Sequence, residues 1–262
     1  MALVTGGGTN LGKAAAVELA NCGASVVIAG RRQHVLEEAV NEIGERCSWA
    51  VGDIRERSGA ERISREVLER HGQLDFLLNN AGGQYFVPAE SIALKGWRAV
   101  QRLNVEGTLA MCETAYELAM RPSGRGTIVN VTVSPHQGFP AMAHTGAARA
   151  AVEAITRELA AGWAPDGVAV AAIALGRFAT ESLRKYPAEL WQKAAASVPL
   201  QRLGTLEEYG WLIALLASPL GAAFSGSVIT LDGALDNWPG RWPPPDLTRD
   251  GQVPTEERRP VV

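Results

Sequence analysis

Short apolar runs alternate with longer amphipathic ones along almost the whole chain. Residues 2–5, 25–29, 48–51, 74–78, 127–133, 168–174 and 228–231 are rich in Val, Ile, Leu and Ala on both faces, as strands buried on both sides must be. Between them, residues 11–22, 34–45, 57–71, 95–120, 143–163 and 206–217 place apolar side chains at helical spacing. Continuous apolar strands separated by helices predict an α/β fold of the Rossmann type. That fold is a doubly wound parallel sheet of about seven strands with helices on both faces, and its ligands gather at the carboxyl ends of the strands.

The alternation runs through residues 1–234 without a repeat or linker, which predicts one domain. Residues 235–262, LDNWPGRWPPPDLTRDGQVPTEERRPVV, lose the periodicity and read as an irregular tail rich in Pro and charge and containing Trp. Trp238 and Trp242 suggest that the tail's first part packs against the pocket or a neighbouring subunit.

Composition narrows the function classes. Of the 262 residues 47% are hydrophobic and 20% charged, ordinary for a globular protein with a sizeable core. A net charge of -3 gives no electrostatic case for nucleic acid or an anionic membrane. No apolar run is long enough to span a bilayer, and MALVTGGG leaves no room for a signal peptide, so the expected location is the cytoplasm. Cys22, Cys47 and Cys112 are scattered without metal spacing and are expected to be buried, reduced thiols.

The chemistry-bearing motifs fall at strand ends. TGGGTNLG (Gly6, Thr9, Asn10, Leu11, Gly12) follows the first strand and opens the first helix, where glycines admit a pyrophosphate to the free N–H groups. Arg31 and Arg32 end the second strand, where an acidic residue would select a ribose hydroxyl and a basic pair suits a 2′-phosphate. Asp53 and Ile54 follow the third strand in position to meet an adenine, and Asn80, Ala81 and Gly82 close the fourth beside the cofactor. Asn104 is a polar residue inside an apolar helix that can bridge to a strand or hold a water.

In order and spacing, TGGGTNLG, GDI, NNAG, GTIVNV, the Arg202–Glu208 segment and ITLDGA resemble the short-chain dehydrogenase/reductase family over about residues 2–234. Within it NNAGGQYF, ALKGW, PAMAHTGAARA and DNWP are most similar to peroxisomal-type trans-2-enoyl-CoA reductases. The resemblance implies NADP(H) as cofactor, a small-molecule substrate with an activated double bond, and a homotetramer. In such an assembly the apolar faces of 95–120 and 143–163 would pack between subunits. It also places Gly176 and Thr180 near the nicotinamide, although the family's proline-glycine is here Leu175–Gly176 and its loop glycine is Asn10, a residue that tolerates left-handed angles.

The family's usual Ser, Tyr and Lys are all replaced. The serine column falls at Val133, flanked by Thr132 and Ser134, the tyrosine column at Thr145 and the lysine column at Arg149. Only Asn104 matches, and a second register would set Glu153 and Arg157 in the Tyr–Lys spacing. Arg149 is a fixed cation that can bridge ribose hydroxyls or steady an oxyanion but is a poor proton donor. Thr145 donates a hydrogen bond only. His144 titrates in the useful range, against the blander reading of a surface histidine at a helix start, and His136 is weighed the same way, whereas His34 and His71 lie off the strand ends. Tyr85 reaches either the substrate or a packing partner.

A site with a cation and no phenol disfavours ketone reduction. It suits a conjugated double bond, where Asn104, Thr132, Ser134, His144, Thr145 and Arg149 are the candidates to steady the enolate. The leading expectation is therefore an NADPH-dependent reductase of an activated double bond, an enoyl thioester or a biosynthetic intermediate. The rivals are a non-redox cyclisation, isomerisation or dehydration, and a non-catalytic binding protein.

Overall fold

The computed structural model describes residues 1–138, 141–181, 183 and 193–237. Trp238, Trp242 and the rest of the expected tail lie outside the described residues.

Seven parallel strands form one sheet in the order β3-β2-β1-β4-β5-β6-β7. They are β1 (Ala2–Thr5), β2 (Val26–Gly30), β3 (Cys47–Val51), β4 (Phe76–Asn79), β5 (Gly126–Val133), β6 (Val168–Leu175) and β7 (Val228–Leu231). Strand alternation divides the core in two. Val4, Ile28, Leu78 and Ile173 point to one face, where they pack with Leu19 of α1 (Asn10–Asn21), Leu36 of α2 (Gln33–Ile43) and Ile213 of α6 (Leu206–Ala217). Leu3, Val27, Leu77 and Ile128 point to the other, against α3 (Arg57–His71), α4 (residues 94–123) and α5 (Ala143–Trp163). Both faces are covered, which is why the strands carry no alternating polar face.

The helix expected over 95–120 begins at Leu94, ends at Ser123 and is composite. Its α-helical turns are interrupted by wider π-helical ones at Arg102–Glu106 and Tyr116–Met120. The first of these holds Asn104, and hydrophobic periodicity carries no trace of such a local insertion. Strand order reverses between β1 and β4, so the loops after these two strands separate into a crevice. The ends of the crevice are pinned: Asn80 Nδ2 donates to the carbonyls of Thr5 (3.1 Å) and Gly6 (3.3 Å), and the N–H of Ala81 donates to Thr5 Oγ1 (3.1 Å).

All three cysteines are free, but Cys22 is exposed, at the end of α1, rather than buried as expected. Among the described residues no helix is long and apolar enough to cross a membrane, and no cluster of His, Cys, Asp and Glu could hold a metal ion.

Candidate active site

The glycine loop has the geometry of a phosphate cradle. Gly6 sits at φ +64°, and a Cβ on Gly12 would come within 2.3 Å of the Gly6 carbonyl oxygen, so the strand-to-helix turn closes only on a bare backbone. Asn10 takes the left-handed conformation at φ +47°, one of the few side chains suited to it. Thr9 makes no side-chain capping bond to α1, which leaves the helix's first turn offered to an anion.

Arg31 and Arg32 are exposed at the tip of β2. Asp53, expected at the adenine, is gripped by its neighbour: Arg55 Nε donates to both carboxylate oxygens (2.9 and 3.0 Å). Those bonds hold its pKa below the usual carboxylate range against a partial desolvation, with Arg31 adding to the pull. Ile54 is buried and packs on Gly107 of α4. Gly176 abuts Asp232, which a Cβ would strike at 2.5 Å, and Thr180 Oγ1 accepts a bond from the Leu183 N–H (3.3 Å).

Asn104 is fully buried. It donates from Nδ2 to the carbonyls of Gly83 (2.9 Å) and Val100 (2.8 Å), and its Oδ1 accepts from the Gly83 N–H (3.2 Å). The bridge is thus to the loop after β4 rather than to a strand. The same loop receives Arg149, whose Nη2 would lie 2.3 Å from a Cβ on Gly82. Gly82 is therefore the residue that lets a guanidinium lie against the main chain.

Arg149 is 7% exposed, donates from Nη1 to the Val131 carbonyl (2.7 Å), and leaves Nε without a partner. Burial pulls its pKa down to about 10, and it faces the buried Tyr209 phenol, itself raised by burial. One turn earlier Thr145 is fully buried with an unpartnered Oγ1. One turn later stands Glu153, so α5 presents Thr145, Arg149 and Glu153 as a single stripe.

Several expected site residues already have side-chain partners. Thr132 donates to Glu153 Oε1 (2.9 Å), and Ser134 donates to Asp232. Of that trio it is Val133 that lines the cavity beside α5. His144, weighed as a surface histidine, is fully buried with both ring nitrogens unpartnered and its ring edge-on to Tyr85 at 4.3 Å. Burial lowers its pKa.

The cavity encloses about 550 Å³, a size suited to a small organic substrate. Arg149, Glu153, His136 and Pro135 line it, and the small residues Gly146, Ala147 and Ala150 of α5 leave it room. His136, weighed like His144 between a catalytic and a surface histidine, stands in the cavity wall. Its Nε2 lies 2.9 Å from Glu153 Oε1 and its Nδ1 2.5 Å from Asp236 Oδ2. Asp236 belongs to the segment expected as an irregular tail. No local signal in the sequence joins residues 136, 153 and 236, because the segments after β5 and β7 and the helix α5 meet only in the folded molecule.

The family model described as Enoyl-(Acyl carrier protein) reductase matches residues 7–235. The chain is a short-chain dehydrogenase/reductase. This dehydrogenase/reductase is 34% identical over 250 residues to a probable 2,4-dienoyl-CoA reductase of Bacillus subtilis, covering 92% of this chain and 95% of that protein. It is 32% identical over 241 residues to a peroxisomal 2,4-dienoyl-CoA reductase of Danio rerio, covering 89% and 80%. A solved short-chain dehydrogenase from Bacillus anthracis superposes with a TM-score of 0.85 at 32% identity, covering 92% of this chain and 97% of that one. An actinorhodin polyketide ketoreductase with NADPH superposes at 0.85 and 26% identity, covering 90% and 97%. Membership makes the protein an oxidoreductase that uses a nicotinamide cofactor. The glycine cradle, the open first turn of α1 and the half-partnered Arg149 fit that cofactor.

Proposed function

We propose that this short-chain dehydrogenase/reductase is an NADPH-dependent reductase of a conjugated carbon–carbon double bond in an enoyl or dienoyl thioester. The observation that carries the reading is the stripe Thr145–Arg149. A buried hydroxyl with no acidic character stands where a phenol would donate its proton, and a buried guanidinium stands beside it at the cavity.

Such a pair steadies negative charge without protonating it. That is what an enolate needs while charge rests on the thioester oxygen, and not what an alkoxide needs. The bound dinucleotide would supply the hydride. Arg149, in contact with the Gly82 loop, would hold its ribose or the developing oxyanion, and Asn104 would keep that loop in place. Arg31 and Arg32 support NADPH over NADH by offering two cations to a 2′-phosphate. The dinucleotide held by the neighbouring ketoreductase and the names of the dienoyl-CoA reductases support the same reading.

The test follows the absorbance of the reduced nicotinamide with a panel of 2-enoyl and 2,4-dienoyl thioesters beside ketones of similar size. Oxidation with the thioesters and none with the ketones is expected. Ketone reduction as the faster reaction would overturn the reading. The reading also includes a homotetramer, for which light scattering should give a particle of about four chains.

A non-redox rival has one observation in its favour, the His136–Glu153 pair, which could move a proton along a carbon chain. Product formed from the thioesters without any dinucleotide would favour it.

A further inference from the structure

The Thr145–Arg149 pair on α5 offers no acid, yet the reduction of a double bond consumes a proton. The cavity holds one cluster able to provide it. His136 lies between two carboxylates, with Glu153 at Nε2 and Asp236 at Nδ1, and its main-chain N–H also donates to Asp236 Oδ1 (2.6 Å). A ring flanked by acceptors on both nitrogens is satisfied only as the imidazolium, because a neutral ring has one lone pair and would turn it on a carboxylate.

The surroundings hold both carboxylates in place. Glu153 Oε1 also accepts from Thr132, Arg157 Nη2 approaches Oε2 at 3.8 Å from the next turn of α5, and Arg149 stands one turn before. Asp236 is fixed from the β7 side by its N–H to Asp232 Oδ2 (2.7 Å). Burial of His136 works against protonation, but the two carboxylates outweigh it, so its pKa lies above the ordinary value. Exposure falls along the chain toward the cavity, from a His136 side chain 32% exposed to a Glu153 side chain at 8%. A path that opens to water at the histidine and closes at the glutamate is oriented for inward proton delivery.

Resting on the reductase reading above, we propose that the Glu153–His136 pair, with Asp236 positioning the ring, is the proton source of this site. Hydride from the reduced nicotinamide, the reductant, adds to the electron-poor carbon, and the displaced electron pair moves onto the thioester oxygen. As that pair returns to carbon, a proton passes from Nε2 to Glu153, and the Glu153 carboxyl group protonates the chain carbon. The neutral imidazole takes a proton back from water. One thioester, one reduced dinucleotide and one proton are consumed for each saturated bond.

Two measurements test this. In the free protein, the imidazole resonance lost in His136→Asn should titrate with a midpoint above the ordinary histidine value. It should fall in both Glu153→Gln and Asp236→Asn. A midpoint at or below the ordinary value, unmoved by either change, overturns the proposal. In heavy water with unlabelled NADPH, the wild type should place deuterium on one face of the protonated carbon. His136→Asn should mix the faces and lower kcat roughly a hundredfold, with the KM for NADPH retained and with Glu153→Asp recovering part of the loss. Unchanged kcat and face selectivity in His136→Asn also overturns it. A wild type that oxidises no dinucleotide with any thioester removes the reductase reading and the donor role with it. The titration then still tells whether the charged pair exists.

Discussion

Arg149 is a buried cation whose one hydrogen bond goes to a main-chain carbonyl. No described carboxylate pairs with it, and the depression of its pKa to about 10 expresses the cost of holding that charge away from water. In the function proposed above, that cost is offset when Arg149 holds a ligand. Arg149→Met keeps much of the volume and removes the charge, so the free protein should gain on the order of 1–3 kcal/mol, several degrees in Tm. Calorimetry should at the same time register loss of dinucleotide binding. A variant less stable than the wild type would mean that the Val131 contact outweighs the desolvation. Arg31 and Arg32 carry the second prediction at this scale. Replacing both by Ala should raise the KM for NADPH about ten- to a hundredfold, the worth of charge-assisted bonds to a phosphate, and leave the KM for NADH nearly unchanged. Equal changes for both cofactors would remove the 2′-phosphate role.

At the scale of elements, the wider turn Arg102–Glu106 rotates Asn104 toward the loop after β4, where it replaces strand-like bonds for Gly83 and takes the Val100 carbonyl. Asn104→Ala would take this partner from the part-buried Gly83 groups and the buried Val100 carbonyl, at about 1–3 kcal/mol. Tm should fall by several degrees, and the Gly82 loop that seats Arg149 should loosen, raising the KM for the cofactor. Normal Tm with normal KM would show the bridge to be idle. The periodicity of residues 95–120 made this helix legible, and Asn104 stood out in it as a polar residue. The widened turn was not legible, because a single inserted residue per turn shifts the apolar pattern less than ordinary sequence variation does. The strands were legible for a plain reason, since only a sheet covered on both faces needs apolar residues at every position. The register of α5 was legible too, as Thr145 and Arg149. What side chains 132–134 face was not, since the end of a twisted strand meets loops that alternation does not foresee.

For the whole molecule, stability should have a window in pH. Asp53 and Glu208 have folded pKa values below their unfolded ones, the second brought to about 2 by Arg202 and by the Thr205 N–H at the start of α6. Their contribution is present above the unfolded pKa near 4 and is lost as pH falls through that region. His136 has a raised folded pKa, so its contribution is complete below about 6.5 and is lost as pH rises through the folded value. Thermal unfolding from acid to mild alkali should therefore peak between about pH 5 and 6.5. Glu208→Gln should flatten the acid limb, and His136→Asn the alkaline one. A profile whose limbs survive both changes would assign them to other groups.

By itself the sequence determined the layers of this molecule, the position of the glycine turn after β1, the basic pair at the tip of β2 and the placing of Thr145 and Arg149 one turn apart on α5. Each of these follows from local rules: which backbones glycine allows, which strands are apolar on both faces, which residues share a helical stripe. The tertiary structure alone decided that His144 is buried against Tyr85 and that residues 136, 153 and 236 meet. Those contacts bring the segments at the ends of β4, β5 and β7, far apart in the chain, onto α5. Parallel pairing across a sheet brings such ends together without leaving any short-range mark in the sequence.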